Sequence, residues 1–298
     1  MEFIRSQLWR DHTTATEVLE KDLPTGALSH LILSMDGYNV TDEATLAEIL
    51  AFINAVEVTR SGVTVLSLES EDLYGVNMYL YKHFPELTGK VATDDYARNL
   101  GLIIPFGRRI FDPDECYPPT KKGDLTLRVN FTVPAASLDN STVNIETVEL
   151  VGAQPTHFMR STLLTVVAPG ATGDNDVELP IGNEIICVQM RLTTIPGASS
   201  HTYGVDNARI LVNDREFGYA AARAQCLQAD RVFRVDGQHS TIGAQGVDQS
   251  DNVLWLDFDP AGDGKFLLDT KGKSSVKLRL NMGVDEATKV TLLERVAV

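Results

Sequence analysis

Along most of the chain, apolar and polar positions alternate with a period of two. Leu125, Leu127, Val129 and Phe131 alternate with Thr126, Arg128 and Asn130, and Val276, Leu278, Leu280 and Met282 alternate with Lys277, Arg279 and Asn281. Successive side chains of an extended backbone point to opposite faces, so each run predicts a strand with one buried face and one wet face. Turn residues such as Asp139-Asn140, Pro169-Gly170, Gly173-Asp174 and Gly262-Asp263-Gly264 separate many such short runs, as in a sandwich or jelly roll. Helical spacing is the exception. With Ser70 as N-cap and Glu71 and Asp72 in the first turn, Leu73, Val76, Tyr79, Leu80 and His83 predict a helix ending before Pro85. A second helix is predicted from an Asp214 cap through Phe217, Ala220, Ala221, Ala224 and Leu227, and a third from Asp42 to Ile53 on the apolar face Leu46, Ile49, Leu50 and Ile53.

The second half of the chain repeats the first in order. Leu23-Pro24-Thr25-Gly26 answers to Leu179-Pro180-Ile181-Gly182, Asn54-Ala55 to Asn207-Ala208, and Leu102-Ile103-Ile104-Pro105-Phe106 to Leu254-Trp255-Leu256-Asp257-Phe258. Leu125 to Asn130 answers to Val276 to Asn281, and Val148-Glu149-Leu150-Val151 to Leu293-Glu294-Arg295-Val296. The shift shortens slowly from match to match, as changes in loop length would make it. The first two predicted helices fall at matched places, after the Asn-Ala strand and before the Leu102 or Leu254 strand; the Asp42 helix has no partner. These observations predict an all-β chain of two tandem jelly-roll sandwiches, each with a helix inserted between strands. The connector Gly152, Gln154, Pro155 and Thr156 divides it into residues 1–155, with a short N-terminal segment, and residues 156–298.

Composition narrows the function. A hydrophobic fraction of 43% supports a folded core, and no apolar run approaches the roughly 18 to 20 residues of a spanning helix. Met1 to Arg10 mixes Glu2, Arg5, Gln7 and Arg10 among its apolar residues, unlike a secretory signal, which predicts synthesis and folding in the cytosol. A net charge of -15 argues against direct binding to nucleic acid, which needs Lys and Arg to neutralise phosphates. The N-terminal stretch is no basic arm either: Arg5, Arg10 and Lys21 are outnumbered by Glu2, Asp11, Glu17, Glu20 and Asp22. Cys116, Cys187 and Cys226 lack the spacing of a disulfide framework or zinc site and read as buried apolar residues.

Candidate chemistry is sparse. Cupins resemble this chain in folding class but bind metal through an HxH pair with a later Glu and His, whereas His12, His30, His83, His157, His201 and His239 are isolated. Ser199-Ser200-His201 with Asp206 has the residue types of a hydrolytic triad. Adjacent residues of an extended chain face opposite ways, however, and no GxSxG elbow presents a nucleophile. Asp257 to Gly264 places alternate carboxylates near a glycine turn, as calcium prefers, but has Ala261 and no closing Glu; Asp174-Asn175-Asp176 is a weaker version. Gly237 to Gly246 has no lysine and matches no phosphate-binding fingerprint. Asn39, Asn130 and Asn140 open glycosylation motifs that carry no weight without a signal sequence. No catalytic, cofactor or metal residues are assigned, and the chain is not expected to be an enzyme.

The two rolls, each opening with an LPxG-led strand and bearing a central helix, resemble the double jelly-roll major capsid proteins of tailless, membrane-containing icosahedral viruses. Leu102 to Gly107 followed by Glu115-Cys116-Tyr117-Pro118 is similar to the strand and loop of the first roll in the bacteriophage members. The resemblance implies a structural protein of the virion, a viral coat subunit whose homotrimers form pseudo-hexagonal capsomers above a lipid bilayer. Its partners would be itself, neighbouring capsomers and minor capsid or penton proteins, with no direct nucleic acid and no cofactor, and it would be assembled in the host cytoplasm. Met1 to Trp9, with Phe3, Ile4, Leu8 and Trp9, is then expected to touch a neighbour or the membrane, or to pack under its own subunit. Thr88 to Asn99 and Val235 to Asp251 are expected at the tops or rims of the capsomer. The alternative is a two-domain carbohydrate-binding protein or glycan-processing amidase. It would want a face of exposed aromatics, but aromatics total 7% and the two Trp, Trp9 and Trp255, lie in different halves. A tail or spike adhesin would suit the strands but not the paired helices.

Overall fold

A computed structural model of the chain describes residues 2–13, 15–41, 44–85, 93–133, 135–167, 170, 172–195, 202–235 and 252–298. The chain divides into two units, Met1–Thr162 with Val296–Val298, and Leu163–Arg295.

The first unit contains β1 (Glu2–Thr13), β2 (Glu17–Asp22), β3 (Ala27–Asn39), α1 (Leu46–Leu50), β4 (Ile53–Arg60), β5 (Val63–Leu68), α2 (Ser70–Tyr81), β6 (Ala97–Pro105), β7 (Leu125–Phe131) and β8 (Leu138–Val151). Their order is β1-β8-β3-β6 in one sheet and β5-β4-β7-β2 in the other, with antiparallel neighbours throughout. That interleaving of early and late strands is the order of a jelly roll. The alternating residues behave as their pattern dictates: Leu125, Leu127, Val129 and Phe131 are buried, while Arg128 is exposed. β9 (His157–Val167) starts in this unit, where Ser161 and Thr162 pair in parallel with Leu66 and Ser67 of β5.

The second unit continues with β10 (Gly173–Glu178), β11 (Glu184–Arg191), β12 (Val205–Val212), β13 (Arg215–Glu216), β14 (Ala222–Arg223), α3 (Ala224–Arg234), β15 (Val253–Asp257), β16 (Leu268–Asp269), β17 (Val276–Met282) and β18 (Thr288–Ala297). Its strands run β15-β11-β18-β9 and β10-β17-β12-β13, with β14 on β12 and β16 on β11. This is the same order, strand for strand. Its core gathers Val188, Met190, Ile210, Leu256, Leu278, Leu280 and Leu292.

The repeat extends to irregularities of the hydrogen-bond ladders. β3 carries a bulge between Leu28 and His30 opposite Glu149 and Val148, and β11 one between Ile185 and Cys187 opposite Glu294 and Leu293. β4 bulges between Ile53 and Ala55 opposite Phe131 and Asn130, and β12 between Val205 and Asn207 opposite Met282 and Asn281. An extra residue bends a strand and fixes its register, so bulges at matched places mark one architecture built twice. The second pair also shifts one sequence match by a step, since Ala55 and not Asn54 stands where Asn207 does.

The helices differ in detail from their sequence-based bounds. α1 starts only after Thr45, which forms a capping box with Glu48, and Ile53 already belongs to β4. Ser70 lies inside α2, after the cap residue Glu69, and its hydroxyl donates to the Leu50 carbonyl (2.6 Å) instead of capping the helix. Asp214 caps nothing. Asn213 and Asp214 both adopt positive φ (50° and 61°) and form the two-residue turn between Val212 and Arg215, a hairpin geometry that favours Asn and Asp. Gly218 and Ala221 also have positive φ, so the helix begins at Ala224.

Candidate functional site

The acidic stretch after β15 is the best place to look for a cation, and its carboxylates are already engaged. Asp257 is buried, ion-pairs with Arg234 of α3, and accepts the Asp259 amide at 2.7 Å. Arg234 also holds Asp230 one turn earlier (2.8 Å). The Tyr219 hydroxyl bridges the backbone of Asp257, accepting from its amide (2.9 Å) and donating to its carbonyl (3.0 Å). Asp259 accepts the Gly264 amide (2.7 Å), and Asp263 pairs with Lys265 (2.5 Å). Such charge-assisted bonds to backbone amides close a turn and fasten it to α3. Asp174 and Asp176 on β10 likewise face Arg279 on β17, with Arg279 Nε 2.6 Å from Asp176 Oδ1. Among the described residues no group of three or more His, Cys, Asp or Glu is arranged to hold a metal ion.

The histidines stay dispersed. His30 is buried on β3, and burial, then the charge of Arg5, lowers its pKa to about 4. Its Nδ1 lies 2.9 Å from Ser29 Oγ, which accepts the Phe111 amide at 2.8 Å. The Phe111 ring stands edge-on to His30 at 5.2 Å and to Phe3 at 5.4 Å. His12 meets Glu17 at 2.8 Å, and His157 meets Thr156 at 2.9 Å. Ser199, Ser200, His201, His239 and Gly237 to Gly246 lie outside the described residues, as do parts of the two loops expected at the tops or rims. Asn39, the first of the glycosylation motifs, is fully buried, and its Oδ1 accepts the Ala44 amide.

The segment that carried the resemblance is a structural clasp. Tyr117 exchanges backbone hydrogen bonds with Leu28 (2.8 and 3.0 Å) and packs on Phe106 and Phe158. Glu115 accepts the Arg108 amide and guanidinium, with Arg108 Nη2 at 2.7 Å from its Oε2. Burial, with Asp112 and Asp114 nearby, pushes the Cys116 thiol up to about 11. The clasp's aromatic and charged partners are spent on fastening this loop to β3.

Among the described residues, strand edges and one helix leave apolar surface available. The N-terminal segment is the edge strand β1, paired with β8, and none of its residues is buried; Phe3 is 59% and Ile4 50% exposed. Adjacent Phe3 and Ile4 spoil the alternation, so only their partners on β8 reveal this strand. On α3, Cys226 is exposed, unlike the buried Cys116 and Cys187 and against the expectation for it, and so are Val232 and Phe233, Phe233 at 90%. The glycan-binding alternative finds no platform in the two indoles: Trp255 is buried with its N–H on Gln189 Oε1, and Trp9 is partly covered on β1.

The strands form a double jelly roll. No protein-family model and no curated protein matches the chain. Solved structures do, over both rolls. The major capsid protein of bacteriophage PM2 matches with a TM-score of 0.67 at 12% identity, covering 100% of this chain and 98% of that one. The major capsid protein of Sulfolobus Turreted Icosahedral Virus matches at 0.71 and 12%, covering 100% and 97%. That of Faustovirus matches at 0.58 and 8%, covering 99% and 89%. At such identities the likeness is one of fold: the chain has the double jelly-roll fold of these viral major capsid proteins.

Proposed function

We propose that this chain is the major capsid protein of an icosahedral virus, a structural subunit whose homotrimers form pseudo-hexagonal capsomers. The full-length match of both rolls to capsid subunits carries the reading. Neighbouring capsomers and minor capsid or penton proteins are its partners, and the virion, assembled in the host cytoplasm, is its location. The acidic balance suits a coat separated from the genome by a membrane, with β1 the segment nearest to neighbour or bilayer. No catalytic, cofactor or metal residue is assigned. The division into rolls at residues 155 and 156 belongs to the same proposal.

Light scattering on the purified protein tests it. A stable species of about 98 kDa, three times 32.6 kDa, with a hexagonal outline in electron micrographs, is the expected result. A monomer at every concentration up to crystallisation strength overturns it.

A further inference from the structure

Two counterpart strand edges in the rolls have different fates. In the first unit, the edge strand β5 is extended by β9, with Leu66 beside Ser161 and Ser67 beside Thr162, in parallel. Val65, Leu66 and Leu68 are buried on β5, and Met159 and Ser161 on β9. By strand order, β13 with β14 is the counterpart of β5: Thr59 and Arg60 pair with Thr64 and Val63, as Leu211 and Val212 pair with Glu216 and Arg215. Val56 faces Leu68 as Ala208 faces Ala222. The counterpart of β9 is β1, each the strand beside β8 or β18 in its sheet.

Nothing among the described residues lies beside β13 and β14 as β9 lies beside β5. No residue of β13 or β14 is buried, and Phe217, between them, is 48% exposed. β1 is the matching orphan. It is a twelve-residue edge strand without a buried residue, bearing Phe3 and Ile4 in the open. Long bare edges invite another chain, and natural sheets cover or blunt them.

We infer that β1 of a second copy of this chain adds in parallel beside β13 and β14, repeating between copies the junction that β5 and β9 make within one. The occupant follows from the repeat: the surface beside β13 is the one that, at β5, receives the strand opening a roll, and the opening strand left without a seat is β1. The contact is head-to-tail, since donor and acceptor edges differ, and such contacts close into rings when the rotation allows. The inference rests on the coat-protein reading in needing a self-assembling chain, and adds which surfaces meet.

Cysteine crosslinking of the full chain tests it. In a Cys226→Ser background, which removes the exposed native thiol, Ile4→Cys and Phe217→Cys are placed on separate tagged copies, mixed, assembled and treated with a short bismaleimide. The expected result is a crosslink from position 4 of one copy to position 217 of another, joining two different tags. A second variant, Phe3→Asp with Ile4→Asp, alters two exposed residues, of which Phe3 also meets the Phe111 ring, and is expected to weaken association at least about tenfold while leaving the monomer's circular dichroism unchanged. An assembly of trimer mass that crosslinks only between the position-4 thiols of two copies, or tolerates the double Asp variant, overturns the inference and leaves the coat-protein reading standing. A protein that stays monomeric overturns both.

Discussion

Replacing Asp257 with Ala separates a structural carboxylate from a cation ligand. The substitution removes one of the two carboxylate partners of Arg234 and the acceptor of the Asp259 amide (2.7 Å). Deleting one member of a buried ion pair costs about 3 to 5 kcal/mol, because the surviving charge is stranded. Here Asp230 keeps a hold on Arg234, whose side chain is 26% exposed, so this part falls at or below the low end of that range. The orphaned amide adds about 1 to 3 kcal/mol. Together they predict a loss of about 3 to 5 kcal/mol, a fall in melting temperature of roughly 10 to 20 °C for a roll of this size. Asp257→Asn, which keeps an acceptor for the amide, is expected to lose about half as much. The assay is thermal and urea unfolding followed by circular dichroism, with calcium and with chelator. A loss below about 1 kcal/mol for Asp257→Ala, or a calcium-dependent rise in melting temperature that the variant abolishes, refutes the closed-turn account.

Gly107→Ala would drive a Cβ into the Glu115 carbonyl oxygen, backbone that cannot swing aside, so the clasp must open. A destabilisation of roughly 1 to 3 kcal/mol is expected, read as a lower urea midpoint; an unchanged midpoint would show that the clasp yields freely. His30 predicts a pH dependence. Its folded pKa of about 4 lies below the 6.5 of the free side chain, so the unfolded chain binds the proton first as pH falls. Stability should decline between about pH 6.5 and 4 and the His30 contribution should flatten below that. Urea titrations of wild type and His30→Gln across this window should differ in slope, and superimposable slopes would exclude His30 as a cause.

The strands that are legible in the sequence are those whose burial alternates, such as β7 and β17, because a half-buried strand writes its period into residue type. The order of matched segments reveals the repeat for the same reason. β1 is not legible as a strand: with no residue buried, backbone pairing to β8 holds it, and pairing leaves no trace in hydrophobicity. The start of α3 escapes the pattern because helix formers from Phe217 to Ala224 outweigh the turn chemistry of Asn213 and Asp214, where backbone conformation decides. Bulges move the Asn-Ala match by one, since an extra residue changes register without changing pattern. Asp257 to Gly264 looks like a calcium loop because composition cannot show that Arg234, Tyr219 and backbone amides reach that stretch first.

The twin bulges carry a consequence for how the chain acquires its shape. Two rolls that share two ladder irregularities offer β8 and β18 similar seats, and exchange between tandem units is a characteristic way for such chains to misfold. Where the bulges match, backbone geometry does not distinguish β8 from β18, and side chains must. At one matched position they do so sharply. Glu149 Oε2 accepts the Gly26 amide (3.1 Å) and fills the space where a Cβ would stand, whereas Glu294 Oε1 accepts the Asn183 side chain (2.9 Å). In the register of the bulge, Asn183 stands two residues before Ile185 as Gly26 stands two before Leu28, one step off the Gly182 match, so β8 offered to the second roll meets a side chain where Glu149 requires emptiness. Divergence between the halves at this position therefore opposes the entry of β8 into the wrong roll.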